Sequence, residues 1–183
     1  MTSGVRLARQ TSVAVCQKLL AIEPLLANVD DDLLATLRRA SAQPATRLIG
    51  VVDGQGRIVG VLPIVGVAEA VIARVAPEAL LAGINDVADV ARFGHQVEAR
   101  TVGDVMVPPA TIAPQATIGE AFQVMHTRRL SGLYVVDPEG RPAGYLDLLE
   151  LAVRYVDALE ADVDHPDVGA RKQVVDPPAP PGA

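Results

Sequence analysis

From residue 117 onward the apolar positions fall at helical spacing. Ile118, Ala121, Phe122 and Met125 lie three and four apart. Thr117 and Glu120 stand three residues apart at the head of this run, a pairing that predicts a capping box and a helix start. Before it, Thr101–Met106 is a short apolar stretch ended by Pro108-Pro109, and Ala110–Ala113 reads as a brief strand before Pro114. After it the period changes. Gly132–Val136 is short and rich in β-formers, Asp137-Pro138-Glu139-Gly140 is a turn, Ala143–Leu146 a returning strand, and Leu148–Leu159 a second helix.

The same order occurs earlier in the chain. Asp30–Asp32 supply an N-cap and first-turn carboxylates, and Leu33, Leu34, Leu37 and Ala40 are the expected buried face of the helix that follows. Ile49–Val52 is a strand, Asp53-Gly54-Gln55-Gly56 a hairpin turn, Ile58–Leu62 the returning strand and Val65–Val75 the closing helix. Residues 11–20 hold the lead-in position but look more helical. The segments VVDGQGRIVG (51–60) and VVDPEGRPAG (135–144) share Val, Val, Asp, Gly, Arg and Gly in register, an offset of 84 from residue 60 to residue 144. One supersecondary unit is therefore built twice, and two copies are too few for an open solenoid. The expected fold is α/β (α+β), with two pseudo-symmetric β-α-β-β-α units packed face to face and function sought in the groove between them. The expected boundaries are a tail at 1–10, a first unit at 11–73, a connecting helix within 74–99 that starts at Pro77 and ends near Gly94, a second unit at 100–157, and an acidic, Pro-rich flexible tail at 158–183.

Composition narrows the function classes. With 183 residues, 50% of them hydrophobic, and mean hydropathy +0.29, the chain can bury a core. It has no Trp, 2 Phe and 3 Tyr, so the core is aliphatic and stacking platforms for bases are scarce. A net charge of −6 and a pI near 5.0 argue against nucleic acid or an anionic membrane as the partner. The richest apolar stretch, residues 58–75, carries Pro63, Glu69 and Arg74 and reads as a strand running into a helix, so no membrane insertion is expected. The N-terminal MTSGVRLARQ lacks a secretory h-region, and a cytoplasmic protein is expected. Cys16 is alone and reads as a small apolar core residue. His95, His126 and His165 have no partner at catalytic spacing, and no nucleophile elbow, phosphate loop or carboxylate pair occurs, so an enzyme is not expected. Asp157, Glu160, Asp162, Asp164 and Asp167 with His165 are irregularly spaced, which suits a solvated acidic run better than a metal site.

The second copy resembles the cystathionine-β-synthase (CBS) domain, and the repeat makes the chain similar to a tandem pair, or Bateman module. The resemblance rests on Asp104-Val105-Met106, Pro114, Thr117–Ala121, Ser131-Gly132-Leu133, Val135-Val136-Asp137, Gly140-Arg141 and Gly144. It implies a regulatory unit whose cleft holds an adenosine-containing ligand, with no covalent cofactor. It further implies a homodimer and a regulated enzyme or transporter as partner.

In that family a glycine, two apolar residues, a Thr or Ser and, three residues later, an Asp mark the site. The segment from Gly144 to Glu150 keeps the glycine and an acid at the ribose position but puts Asp147 in place of the hydroxyl. A carboxylate near a phosphate is repulsive by roughly 1–4 kcal/mol, so adenosine, AMP or S-adenosylmethionine is expected rather than ATP. Asp147 can equally cap the helix from Leu148. In the first copy Pro63 and Gly66 replace both functional positions, so the resemblance favours the cleft that uses Glu150. The equivalent residues Arg47 and Ser131 precede the central strands, and the resemblance points them at the cleft, with Arg47 as the phosphate candidate. It also gives Thr111, Ile112 and Ala113 as the edge that contacts the base. Arg128-Arg129 reads as a helix-end charge, and Arg57 and Arg141 as hairpin-end charges. The alternative left open is a ligand-free structural or interaction module with degenerate clefts.

Overall fold

A computed structural model describes residues 9–163 apart from 21, 44 and 45, with side chains described as far as Asp157. It contains two three-stranded sheets. In the first, β2 (Leu48–Val52) lies between β1 (Leu26–Asn28), parallel to it, and β3 (Ile58–Pro63), antiparallel. In the second, β5 (Gly132–Val136) lies between β4 (Thr111–Ile112) and β6 (Pro142–Asp147) in the same senses. The helices are α1 (Val13–Leu20), α2 (Leu33–Ser41), α3 (Ile64–Val75), α4 (Glu78–Leu81), α5 (Val87–Glu98), α6 (Val102–Val105), α7 (Ile118–Arg128) and α8 (Leu148–Val163).

The 84-residue offset is structural down to single bonds. Gly56 and Gly140 both take the left-handed conformation, at φ 75° and 82°, which a residue with a Cβ resists. Asp53 and Asp137 accept the backbone N–H of Arg57 and Arg141 at 2.9 and 2.8 Å, closing equivalent turns. Each hairpin carries its bulge at the same place, Val51/Val52 and Val135/Val136. The shared Asp, Gly and Arg are thus turn chemistry, and Arg57 also pairs with Asp53 at 2.8 Å.

Both apolar clusters draw residues from beyond their own copy. One apolar cluster joins Val13, Cys16, Leu48, Ile58 and Val61 to Ile118, Met125, Leu133, Tyr134, Tyr145 and Leu151. A second joins Leu33, Ile49, Val51, Leu62 and Val67 to Ala99 and Val102. Cys16 is fully buried, and burial pushes its thiol up to about 11, as an inert core residue requires.

The lead-in segments cross between copies. α1 packs on β6, α7 and α8, with Val13 N–H donating to Ala116 O at 2.8 Å and Ala14 N–H to Pro114 O at 2.9 Å. α6 packs on β1 and α3, with Val102 N–H to Asp31 O at 2.9 Å and Gly103 N–H to Val29 O at 2.8 Å.

Residues related by the offset meet across the interface. Tyr134 and Gly50 are such a pair. The Tyr134 hydroxyl accepts the Gly50 N–H at 2.7 Å and shares its own O–H between Leu25 O at 2.7 Å and Leu48 O at 2.9 Å, while the Gly50 N–H also reaches Leu25 O at 2.9 Å. A Cβ on Gly50 would stand 2.7 Å from Cζ of that ring. The ring leans on Tyr145, centroids 5.3 Å apart, and burial holds both phenols well above their usual pKa. At the hairpin end, Ile58 N–H donates to Gly140 O at 2.9 Å; the reciprocal bond is impossible because Pro142 has no N–H.

Most of the expected elements are present, and four differ. Leu34 is exposed, and the buried face of α2 is Leu33, Thr36 and Ala40, because the helix is oriented by its N-cap Asp32. Thr36 is the polar core residue that an apolar pattern passes over. The connecting helix is broken: α4 ends before Gly83, Asp86 caps a separate α5 through Asp89 N–H at 2.9 Å, and Gly94 lies inside α5. Thr101–Met106 contains a helix, α6, started by a Thr101/Asp104 capping box, and the Arg100 and Thr101 amides hold the Asp104 carboxyl below its usual range. α8 extends to Val163, and residues 1–8 and 164–183, with the tails expected there, lie outside the described residues.

Gly50→Ala is expected to cost about 2–3 kcal/mol by overpacking against Tyr134, and Tyr134→Phe about 1–2 kcal/mol through the lost hydroxyl bonds to the backbone of Gly50, Leu25 and Leu48. Urea unfolding measures both; a Gly50→Ala chain within about 0.5 kcal/mol of wild type would contradict this packing.

Candidate ligand-binding clefts

Two cavities of about 700 Å³ each flank the interface. The first is walled by α2 (Leu37, Ala40, Ser41), the approach to β2 (Thr46, Arg47) and the β3–α3 junction (Pro63, Ile64, Val65). The second is walled by the end of α7 (Met125, His126, Thr127) and by Leu148 at the head of α8. Ser41 and Met125, Thr46 and Leu130, Arg47 and Ser131, and Ile64 and Leu148 are offset pairs, so the cavities are pseudo-symmetry mates. Arg129, Leu130 and Ser131 line both and form the wall between them.

The two halves of the site differ in charge. Asp147 is fully buried; it accepts the Arg47 guanidinium at 2.8 Å and the Leu149 and Glu150 N–H groups at 3.0 and 3.3 Å. The Tyr145 hydroxyl adds a longer contact at 3.4 Å. The carboxylate therefore caps α8 and fixes Arg47 from the other copy. The offset mate of Asp147 is Pro63, which carries no charge and lines the first cavity. Where Arg47 meets Asp147 the copies are bridged by an ion pair, and the equivalent place holds Ser131 and Pro63.

The CBS domain family profile matches residues 102–156. Solved structures with the same fold include a CBS domain-containing protein from Thermotoga maritima, at TM-score 0.64 and 18% identity, covering 80% of this chain and 94% of that one. Residues 102–156 are a CBS domain, and the chain has the fold of a CBS-domain pair. The CBS domain pair of protein MJ0100, solved with 5′-methylthioadenosine and S-adenosyl-L-methionine, aligns at TM-score 0.58 and 15% identity over 80% of this chain and 97% of its own. CBSX2, a CBS-pair protein from Arabidopsis thaliana, solved in complex with AMP, aligns at TM-score 0.55 and 16% identity over 84% and 98%. No curated protein matches the chain in sequence. No described helix is long and apolar enough to cross a membrane.

In this fold Arg47 and Ser131 come together, with Ser131 Oγ donating to Arg47 O at 3.5 Å, and both line the first cavity. Gly144 faces α1: a Cβ there would overlap Gln17, whose side-chain amide donates to Ala143 O. Thr111 and Ile112 pair with Tyr134 and Val135, and Ile112 belongs to the core. Glu150 is exposed on the first turn of α8. Thr111, Ile112, Ala113, Gly144, Asp147 and Glu150 line neither cavity. Leu37, Ala40, Thr46, Ile64, Val65 and Arg129 are wall residues that motif reading passes over. The 84-residue offset could have found the first cavity, since it carries the Asp147 and Ser131 positions to Pro63 and Arg47.

The ion pair is expected to be coupled: Arg47→Ala should cost about 1–2 kcal/mol, a value below that of a fully buried pair because the Arg47 side chain is 42% exposed. In an Asp147→Ser background the same change should cost under about 0.5 kcal/mol by urea unfolding; equal costs in both backgrounds would remove the coupling.

Proposed function

We propose that this CBS pair is a cytoplasmic regulatory module that binds an adenosine-type ligand and passes its occupancy to a partner enzyme or transporter. The observation that carries the reading is the first cavity, whose size suits a nucleoside and whose walls are largely apolar. Leu37, Ile64, Val65 and Leu130 offer surface to a base, while Ser41, Thr46 and Ser131 offer hydroxyls to a ribose. The AMP and S-adenosylmethionine complexes of similar folds support the ligand class. Arg47 is already neutralised by Asp147, which leaves Arg129 as the one unpaired cation among the described residues lining the cavity, less charge than a triphosphate needs. Adenosine, AMP and S-adenosylmethionine are therefore favoured over ATP. Glu150 and the Thr111–Ala113 edge, the ribose and base contacts that the resemblance implies, lie outside both cavities and remain proposals only for a ligand that extends beyond the second one.

The chain is further proposed to form a homodimer. α3 and α8 expose apolar residues at offset-related positions, Val65 with Leu149 and Ile72 with Val156.

Adenosine, AMP or S-adenosylmethionine at a hundredfold excess over Kd should raise Tm by about 5–10 °C, and ATP by less. Ser41→Trp, at an exposed wall position, should abolish the shift without lowering the unliganded Tm. A flat melting screen at millimolar ligand would leave the ligand-free module. Light scattering should give about twice the 19.1 kDa chain mass, and a monomer at tens of micromolar would remove the dimer.

A further inference from the structure

Arg47 and Arg129 line the clefts, and Arg128 precedes Arg129 in the chain. Arg47 is tied to Asp147, and Arg128 donates to the carbonyls of Pro108, at 2.8 Å, and Pro109. Arg129 is different. Its side chain makes no hydrogen bond or ion pair with the described residues, it is exposed, and it lines both cavities.

Its backbone is also strained. Arg129 sits at φ 52°, ψ 44°, the one non-glycine left-handed residue among those described. It ends α7 in a Schellman-type closure, with Leu130 N–H returning to Met125 O at 3.0 Å and both of those side chains buried. Glycine is the usual residue at such a position because a Cβ is unfavourable there. A cation on the last turn of a helix is favourable to the dipole, but that service is available from any position in the turn, and His126 and Arg128 already supply it. The strained residue is thus also the cation without a partner, at the junction of two cavities.

We propose that Arg129 is the anion-recognising residue of this CBS pair and that both cavities share it, so that one phosphate-bearing nucleoside binds per chain. The proposal rests on the ligand reading above and adds the phosphate contact, the stoichiometry and the residue. A guanidinium aimed into the shared wall supplies charge-assisted hydrogen bonds to a phosphate from either side. Once one phosphate holds it, a second anion in the mate cavity meets a neutralised Arg129 and a like charge on the other side of the residues the cavities share. A nucleoside without phosphate is indifferent to this competition.

The test is titration calorimetry of the full chain with AMP and with adenosine, on wild type and on Arg129→Gly, together with unliganded melting. Wild type should bind one AMP per chain, about tenfold or more tighter than adenosine. Arg129→Gly should bring AMP down to the affinity of adenosine. Without ligand this variant should melt about 2–4 °C higher than wild type, because the strained residue is gone. Equal AMP affinity in both chains, or two equivalent AMP sites per chain, would overturn the assignment while leaving the ligand reading standing. A lower melting point for Arg129→Gly would show that the side chain serves the helix end, and would overturn it too. Absence of both ligands from wild type would bring down the ligand reading and this assignment together.

Discussion

The structure depends on the contact between Tyr134 and Gly50. In a duplicated fold closed on itself, residues related by the repeat meet near the pseudo-twofold, so equivalent positions must be complementary. Two tyrosines there would collide and two glycines would leave a void. One of each fills the space, and the single hydroxyl satisfies an amide and two carbonyls of the opposite copy. The internal symmetry of the backbone is kept because the symmetry of the sequence is broken at this point.

The same logic shapes the clefts. Arg47 and Ser131 are mates, as are Asp147 and Pro63. On one side the interface carries a charged pair with a buried carboxylate that also caps α8; on the other it carries a hydroxyl and a ring. The first cavity therefore stays open and apolar, although its copy has lost both motif side chains. Motif residues and cavity walls separate here because Asp147 spends its hydrogen bonds on structure.

Much of this was legible in the sequence wherever the signal is local. The hairpins, their turn glycines and the Thr117/Glu120 capping box are settled by neighbours within a few residues. Helical spacing alone does not choose between Leu34 and Thr36 as the inward residue, and the fold buries Thr36. The break at Gly83–Asp86 was hidden because apolar residues resume in phase beyond it. The crossing of α1 and α6 to the opposite copies is a tertiary choice, and so is the Arg47–Asp147 pair across 100 residues. The left-handed Arg129 was the least legible, since arginine at a helix end looks ordinary until its φ is known.

If the two copies are locked at Tyr134, they unfold together. All three tyrosines, 134, 145 and 155, lie in the second copy, and their ring contacts, Tyr134 with Tyr145 and Tyr155 with Phe122, are made within it, so tyrosine near-UV dichroism reports chiefly that copy while far-UV dichroism reports the whole chain. Urea unfolding followed by both signals should give one superimposable transition. Loss of helix signal in a first transition, with the tyrosine signal intact, would show that the first copy unfolds alone and would contradict the account.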